Sequence, residues 1–136
     1  AEDMSEDYRA LVLQYGHEIG HAVEFLSGFA LTHGQGISVG MRVSAELARL
    51  MGVAGSEVVE AHKRIFKKYQ LPYAVPAPIH SAAILESLKF NKKTRGADIR
   101  MVLPERIGKV WKIKGEYGIP CPFDLIKGAI EKSYND

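Results

Sequence analysis

At 136 residues, with 46% hydrophobic and 25% charged side chains and a net charge of +2, the sequence has the make-up of one globular domain with enough chain to bury a core. No apolar run approaches the roughly eighteen residues of a membrane span, and the start Ala1-Glu2-Asp3 is no signal peptide, so the expected compartment is the cytoplasm with no membrane contact. Residues 1–60 carry three basic and nine acidic side chains and residues 61–136 fifteen and seven, but the lysines are scattered with no aromatic residues between them, which argues against a nucleic-acid surface.

Residues 1–11 are acidic and lack a helix start signal. Val12, Tyr15, Ile19, Ala22, Val23 and Phe25 then predict a helix over 12–25, on which His17 and His21 project from one face, one turn apart. A short loop, Leu26 to Thr32 with Gly28 inside it, leads to His33, which is expected to cap or open the next helix and to fold back toward His17. Three of the five histidines thus fall within seventeen residues, and a metal needs three or four such donors converging. The plain alternative is a set of helix-face imidazoles bonded to water and neighbouring carbonyls. The string His17-Glu18-Ile19-Gly20-His21 also fits H-E-x-x-H, the metallopeptidase helix in which both histidines bind zinc and the glutamate activates water. Its metzincin extension fails, because Glu24 stands where a glycine belongs and no later histidine follows at the right step.

Gly36 to Gly52 reads as a helix with apolar residues on most sides, hence buried, and Gly52 supplies its stop. The glycines from Gly34 to Gly40 match a dinucleotide loop only loosely, since no strand precedes them; they suit a helix start packed tightly against the histidines. Ser56 is expected to cap a helix through Tyr69, with His62 at the core edge, and Pro72, Pro76 and Pro78 make the following stretch a loop. His80 reads as a cap or surface residue. A helix from Ile79 or Ser81 through Phe90 precedes a polar, basic loop, Asn91 to Gly96, whose Lys92, Lys93 and Arg95 are clustered enough for a phosphate. Alternation at Ile99, Met101 and Leu103 predicts a strand, with Val110 to Ile113 returning antiparallel across Pro104 to Gly108. Pro122-Phe123-Asp124 starts a last helix. Cys121, the single cysteine, is a packing or loop residue. The fold class expected is mainly α, one multi-helical domain over 1–136 with a short β-hairpin.

A longer pattern covers the same histidines. Gln14-x-Gly16-His17-x-x-Gly20-His21-Ala22-x-Glu24, then His33-Gly34-x-x-Ile37-x-x-Gly40-Met41, resembles the C-terminal domain of the dehydroquinate synthase-like sugar-phosphate cyclases, a superfamily that includes 3-dehydroquinate synthase and 2-deoxy-scyllo-inosose synthase. The resemblance runs from Glu2-Asp3-x-x-Glu6 through Asn91-Lys92-Lys93 to Met101-Val102-Leu103-Pro104-x-x-Ile107-Gly108, nearly the whole chain in order. It implies that His17 and His33 bind the metal, zinc or cobalt, while a glutamate from an N-terminal nucleotide-binding half supplies the third protein ligand. It also implies that His21 and Gln14 serve catalysis and substrate binding and that Lys93 binds substrate. The implied chemistry is NAD-dependent oxidation of a sugar phosphate, loss of phosphate, re-reduction and aldol closure, a phosphate-eliminating lyase that works only with the NAD-binding half and as a homodimer.

Four departures from the family pattern stand out: Glu18 for a small hydroxyl residue, Gln35 for a glutamate, Asn91 for an aspartate, and Gln14 where the family has asparagine or glutamate. They leave the ligands intact and bear on substrate identity, or on whether the domain is degenerate and kept for assembly. Glu2-Asp3, Tyr15 and the Ser27–Thr32 loop read closer to the inosose enzymes, which favours glucose 6-phosphate over the seven-carbon substrate of 3-dehydroquinate synthase.

Overall fold

The computed structural model describes residues 15–95, 99–113 and 118–135, and for 91–95 the backbone alone. The described residues form five helices, α1 (His17–Leu26), α2 (His33–Leu50), α3 (Ser56–Lys68), α4 (Ser81–Arg95) and α5 (Phe123–Lys132), with four short strands between α4 and α5; α1, α3 and α5 pack on α2, and α4 packs on α1 and α5. The strands are β1 (Arg100–Met101), β2 (Pro104–Arg106), β3 (Lys109–Val110) and β4 (Ile119–Pro120). The mainly α class with a short hairpin therefore holds.

Several boundaries move, each for a local reason. Gly16 lies in the left-handed region at φ 79°, which a helix cannot pass through, so α1 starts at His17; residues 12–14 of the expected helix lie outside the described residues. α2 begins at His33 rather than Gly36 because Thr32 and Gln35 form a reciprocal cap: the Gln35 N–H donates to Thr32 Oγ1 at 3.2 Å and the Thr32 N–H to Gln35 Oε1 at 2.9 Å. Gly55, extended, is the cap of α3, and Ser56 is its first residue. The basic loop expected at Asn91–Gly96 is instead the end of α4, which runs to Arg95. Lysine and arginine are good helix formers, suit a helix C-terminus, and meet no breaker before Gly96.

The single hairpin expected becomes two antiparallel pairs. β2 and β3 make the hairpin, turning tightly through Gly108 at φ 83°, while β1 pairs with the distant β4, Met101 opposite Ile119. Most of the apolar side chains meet in one core, in which Ile19, Val23, Val39, Val43, Leu47, Ile84, Leu103, Ile126 and Ile130 are fully buried, while Val58 and Val59 of α3 pack on Ala45 of α2 in a smaller cluster.

α2 is not apolar all round, because Arg42 and Glu46 are buried in it. The Arg42 guanidinium donates to the carbonyl of Tyr73 at 2.8 Å and to those of Ser133 and Lys132 at 3.3 and 3.2 Å. It thereby ties the proline loop and the C-terminus of α5 to α2, satisfying carbonyls that the helix end leaves open.

The tightest contact lies between α1 and α2. Gly16 and Gly20 on one side meet Gly36 and Gly40 on the other, so that the two backbones touch: a methyl group at Gly40 would overlap the Gly16 carbonyl and stand 2.8 Å from the Gly20 nitrogen. Neither partner is a side chain that can turn away. Gly40→Ala is therefore expected to destabilise the domain by about 3 kcal/mol, the upper part of the overpacking range. Gly34→Ala, at a helical position with open space around it, should be neutral or gain a few tenths of a kcal/mol. Urea midpoints of the two variants check the contrast, and equal midpoints would dismiss the seam.

Candidate metal centre

The seam places the first turns of α1 beside the start of α2, and three imidazoles converge there. Ring centroids are 5.5 Å apart for His17 and His21, 5.5 Å for His17 and His33, and 5.2 Å for His21 and His33. Glu24, one turn past His21 on the same face of α1, joins them, with Oε2 at 3.1 Å from His33 Nδ1 and 3.9 Å from His21 Nδ1. His21, Glu24 and His33 have ligand atoms within 4.8 Å of one another, the one such group of three among the described residues. Imidazole nitrogen and carboxylate oxygen are the donors that zinc and cobalt take, so this set fits the metal that the sequence implies.

The rings differ in their second nitrogen. A backbone carbonyl can only accept, so the Tyr15 carbonyl at 3.3 Å from His17 Nδ1 makes that nitrogen the N–H and leaves Nε2 with the lone pair. Glu24 offers His33 Nδ1 an acceptor in the same way. Among the described residues no acceptor lies within hydrogen-bond distance of the His21 ring.

Beside the cluster an open cavity of about 500 Å³ is lined by His21, Glu24, Phe25, Phe29, His33 and Phe90. The three phenylalanines are 66%, 66% and 70% exposed, an apolar rim around polar donors. The backbone of residue 93 stands one helical turn beyond Phe90 in α4, whereas the Lys93 side chain and the whole of Gln14 lie outside the described residues.

Two other histidines stay apart, as their sequence context suggests. The His80 carbonyl accepts from the N–H groups of Ala83 and Ile84 at the start of α4, and its side chain is exposed. His62 is buried, its Nδ1–H donates to the Val58 carbonyl at 2.7 Å, and its Nε2 accepts from the Tyr15 hydroxyl at 2.6 Å. Burial pushes the Tyr15 phenol above its usual range. This pair borders a separate, mostly apolar cavity of about 380 Å³ between α3 and the β2–β3 hairpin. Cys121 is buried and its thiol is pushed up to about 11 by that burial, which suits packing and not ligation.

Glu24, which in sequence lies too close to the histidine pair for the usual downstream carboxylate ligand, joins the cluster in the fold. Its signal is spacing: residues 17, 21 and 24 follow the i, i+4, i+7 stripe of one helix face.

A helical domain that gathers histidines at the joint of two glycine-packed helices is the class that fold and site define. The chain belongs to the 3-dehydroquinate synthase C-terminal family, whose model matches residues 1–94. It is 38% identical over 133 residues to a 3-dehydroquinate synthase of Crocosphaera subtropica, covering 97% of this chain and 35% of that protein, and 39% identical over 124 residues to one of Thermodesulfovibrio yellowstonii, covering 85% and 34%. Among solved structures, 2-deoxy-scyllo-inosose synthase complexed with carbaglucose-6-phosphate, NAD+ and Co2+ matches with a TM-score of 0.83 and 28% identity, over 97% of this chain and 36% of that one. The chain thus spans about a third of the length of these relatives. Family membership removes the metallopeptidase reading of His17-Glu18-Ile19-Gly20-His21. No helix among the described residues is long and apolar enough to cross a membrane.

His62 gives the domain a pH dependence. Its folded pKa is lowered, chiefly by burial, so its contribution is complete above the unfolded value of roughly 6.5 and is lost as pH falls below it, where the unfolded chain takes up a proton that the folded one resists. Urea midpoints measured from pH 8 to pH 5 should therefore fall more steeply for the wild type than for His62→Gln. Parallel curves would show that His62 is protonated without penalty.

Proposed function

We propose that this chain is the metal- and substrate-binding half of a carbocycle-forming sugar-phosphate cyclase, a phosphate-eliminating lyase that uses NAD and works as a homodimer. The observation that carries the reading is the pairing of His17 and His33, imidazoles from two helices whose Nδ1 atoms are both occupied by acceptors, so that Nε2 is the free donor on each. Metal-binding histidines almost always have their second nitrogen held in this way. His21, without such an acceptor among the described residues, remains for the substrate.

His17 and His33 would hold the metal, zinc or cobalt, with Gln14, His21 and Lys93 on the substrate. When bound, the metal supplies charge that holds substrate hydroxyls and polarises a carbonyl. Catalytic zinc has three protein ligands beside its open position, and a glutamate of the nucleotide-binding half supplies the third. That half also carries NAD. The exposed Phe25, Phe29 and Phe90 beside the histidines supply an apolar rim on which it docks.

For the substrate we infer glucose 6-phosphate, supported by the 0.83 TM-score to an inosose synthase complexed with a carba analogue of that sugar phosphate. The second reading, 3-dehydroquinate synthase, is favoured by the 38% identity to an enzyme of that name.

Two measurements test this reading. In equilibrium zinc titrations of the chain, His17→Ala and His33→Ala should each weaken binding on the order of 100-fold, and His21→Ala much less. Loss with His21→Ala but not with His17→Ala would assign the metal to the His21, Glu24, His33 group, and indifference to all three would mark a degenerate domain kept for assembly. Product analysis of the chain joined to its nucleotide-binding half should give a carbocycle from glucose 6-phosphate, whereas turnover of the shikimate-pathway precursor alone would make it a 3-dehydroquinate synthase. The chain by itself should bind zinc weakly and release no phosphate from either substrate.

A further inference from the structure

Glu24 does not match any role that the metal pair leaves open, yet it is far less exposed than the two imidazoles nearest it. It is 17% exposed, against 52% for His33 and 61% for His21. We propose that Glu24 is a positioning residue of the metal centre: its carboxylate takes the Nδ1–H of His33, fixing that ring as the tautomer whose lone pair is on Nε2. The inference rests on the reading of His33 as a metal ligand.

Three observations carry it. The first is distance, since Oε2 lies 3.1 Å from His33 Nδ1, a hydrogen bond, and 3.9 Å from His21 Nδ1, which is none. One carboxylate therefore selects one of two neighbouring rings. The second is support. Glu24 sits at the glycine seam, where even a methyl group added at Gly36 would come within 3.3 Å of its Cβ, so its own backbone and first side-chain carbon are held against α2. The His33 backbone is fixed independently by the Thr32–Gln35 cap at the start of the same helix. Donor and acceptor are thus delivered by two rigid elements, not by a loop.

The third is symmetry of function with His17. Its Nδ1 is engaged by the Tyr15 carbonyl, at the turn that opens α1. A carbonyl and a carboxylate then do the same work on the two rings, each leaving Nε2 as the donor. An imidazole without that partner divides its proton between the two nitrogens, and only one of the two forms can bind through Nε2.

The experiment is run on the whole chain, with Glu24→Gln, Glu24→Ala and Tyr15→Phe, the last a control that leaves the Tyr15 carbonyl in place. Two-bond nitrogen–proton correlation spectra of the zinc-free protein, taken above pH 8, report the tautomer of each ring directly and need no metal. His33 should be wholly the Nδ1–H form in the wild type, largely so in Glu24→Gln, whose amide oxygen still accepts, and mixed in Glu24→Ala. His17 should be unchanged in all three variants. Zinc affinity, read by competition with a chromophoric chelator, should fall by about 10- to 100-fold in Glu24→Ala and by less in Glu24→Gln.

The visible spectrum of the cobalt-loaded chain separates an outer carboxylate from a ligand. Its band positions should be the same in the wild type and Glu24→Gln if Glu24 lies outside the coordination sphere, and a shift would make it a direct ligand and overturn the proposal. An unaltered His33 tautomer in Glu24→Ala would overturn it too. If His33→Ala left zinc affinity untouched, the reading of His33 as a ligand would fail, while the zinc-free spectra would still decide whether Glu24 sets its tautomer.

Discussion

Two helix backbones in contact govern everything else in this molecule. Helices packed through ordinary side chains keep their axes roughly 8–10 Å apart, and at that separation side chains of modest length meet only at their tips. Glycines at 16 and 20 against 36 and 40 remove that layer, so α1 and α2 meet through main-chain atoms. Histidine is a medium-length side chain with its donors at the far edge of the ring. His17 and His21 on α1 can come within 5.5 Å of His33 on α2 because the helices carrying them are so close. The site is then a consequence of backbone packing and not of a loop folded over it.

The same logic accounts for the polar residues inside α2. A buried arginine is costly unless its donors are met, and Arg42 meets the carbonyls of Tyr73, Lys132 and Ser133. Those carbonyls belong to the proline loop in mid-chain and to the end of α5, both far in sequence from the clustered histidines, so one guanidinium fixes the back of α2 while the glycines fix its front. α2 is clamped on both faces, which is what a helix needs if its first residue is to present a ring to within a few tenths of an ångström. Gln35 fits here as well. As a departure from a family glutamate it looks like lost chemistry, but in the fold its amide oxygen completes the cap that starts α2 at His33, a task that either residue performs.

Much of this was readable in the chain. The histidine spacing, the helical periodicities, the three prolines of one loop and the glycines as packing residues all led to the observed elements, because each is a local signal. What was not readable is non-local or a matter of degree. The partner of β1 is β4, nineteen residues on, and nothing in the alternation of Ile99, Met101 and Leu103 distinguishes it from the nearer Val110. The end of α4 is ambiguous because a basic stretch reads equally as a solvated loop or as a helix terminus; only the absence of a breaker before Gly96 tells them apart. Arg42 and Glu46 are not legible as buried, since a charged residue on an apolar helix looks like its solvent edge. Glu24 is in sequence only a motif letter, and its contact depends on His33 arriving beside it from the next helix.

The exposures within the cluster place the boundary of what this chain completes by itself. Going outward, Glu24 is mostly covered, His33 is half exposed and His21 more so, and the ring of phenylalanines beyond them is more open still. The inner layer is therefore finished: its positions follow from the seam, the Thr32 cap and the core, all within the described residues. The outer layer is not, for an apolar rim in water beside half-solvated imidazoles gains nothing until something covers it. An electrostatic site works best where water is excluded, since charges act more strongly in a low dielectric. The division of labour that follows is a physical one. On the proposed reading, this chain supplies geometry, set in advance by backbone contact, and a nucleotide-binding half docked on Phe25, Phe29 and Phe90 would supply the dry surroundings in which that geometry becomes chemistry.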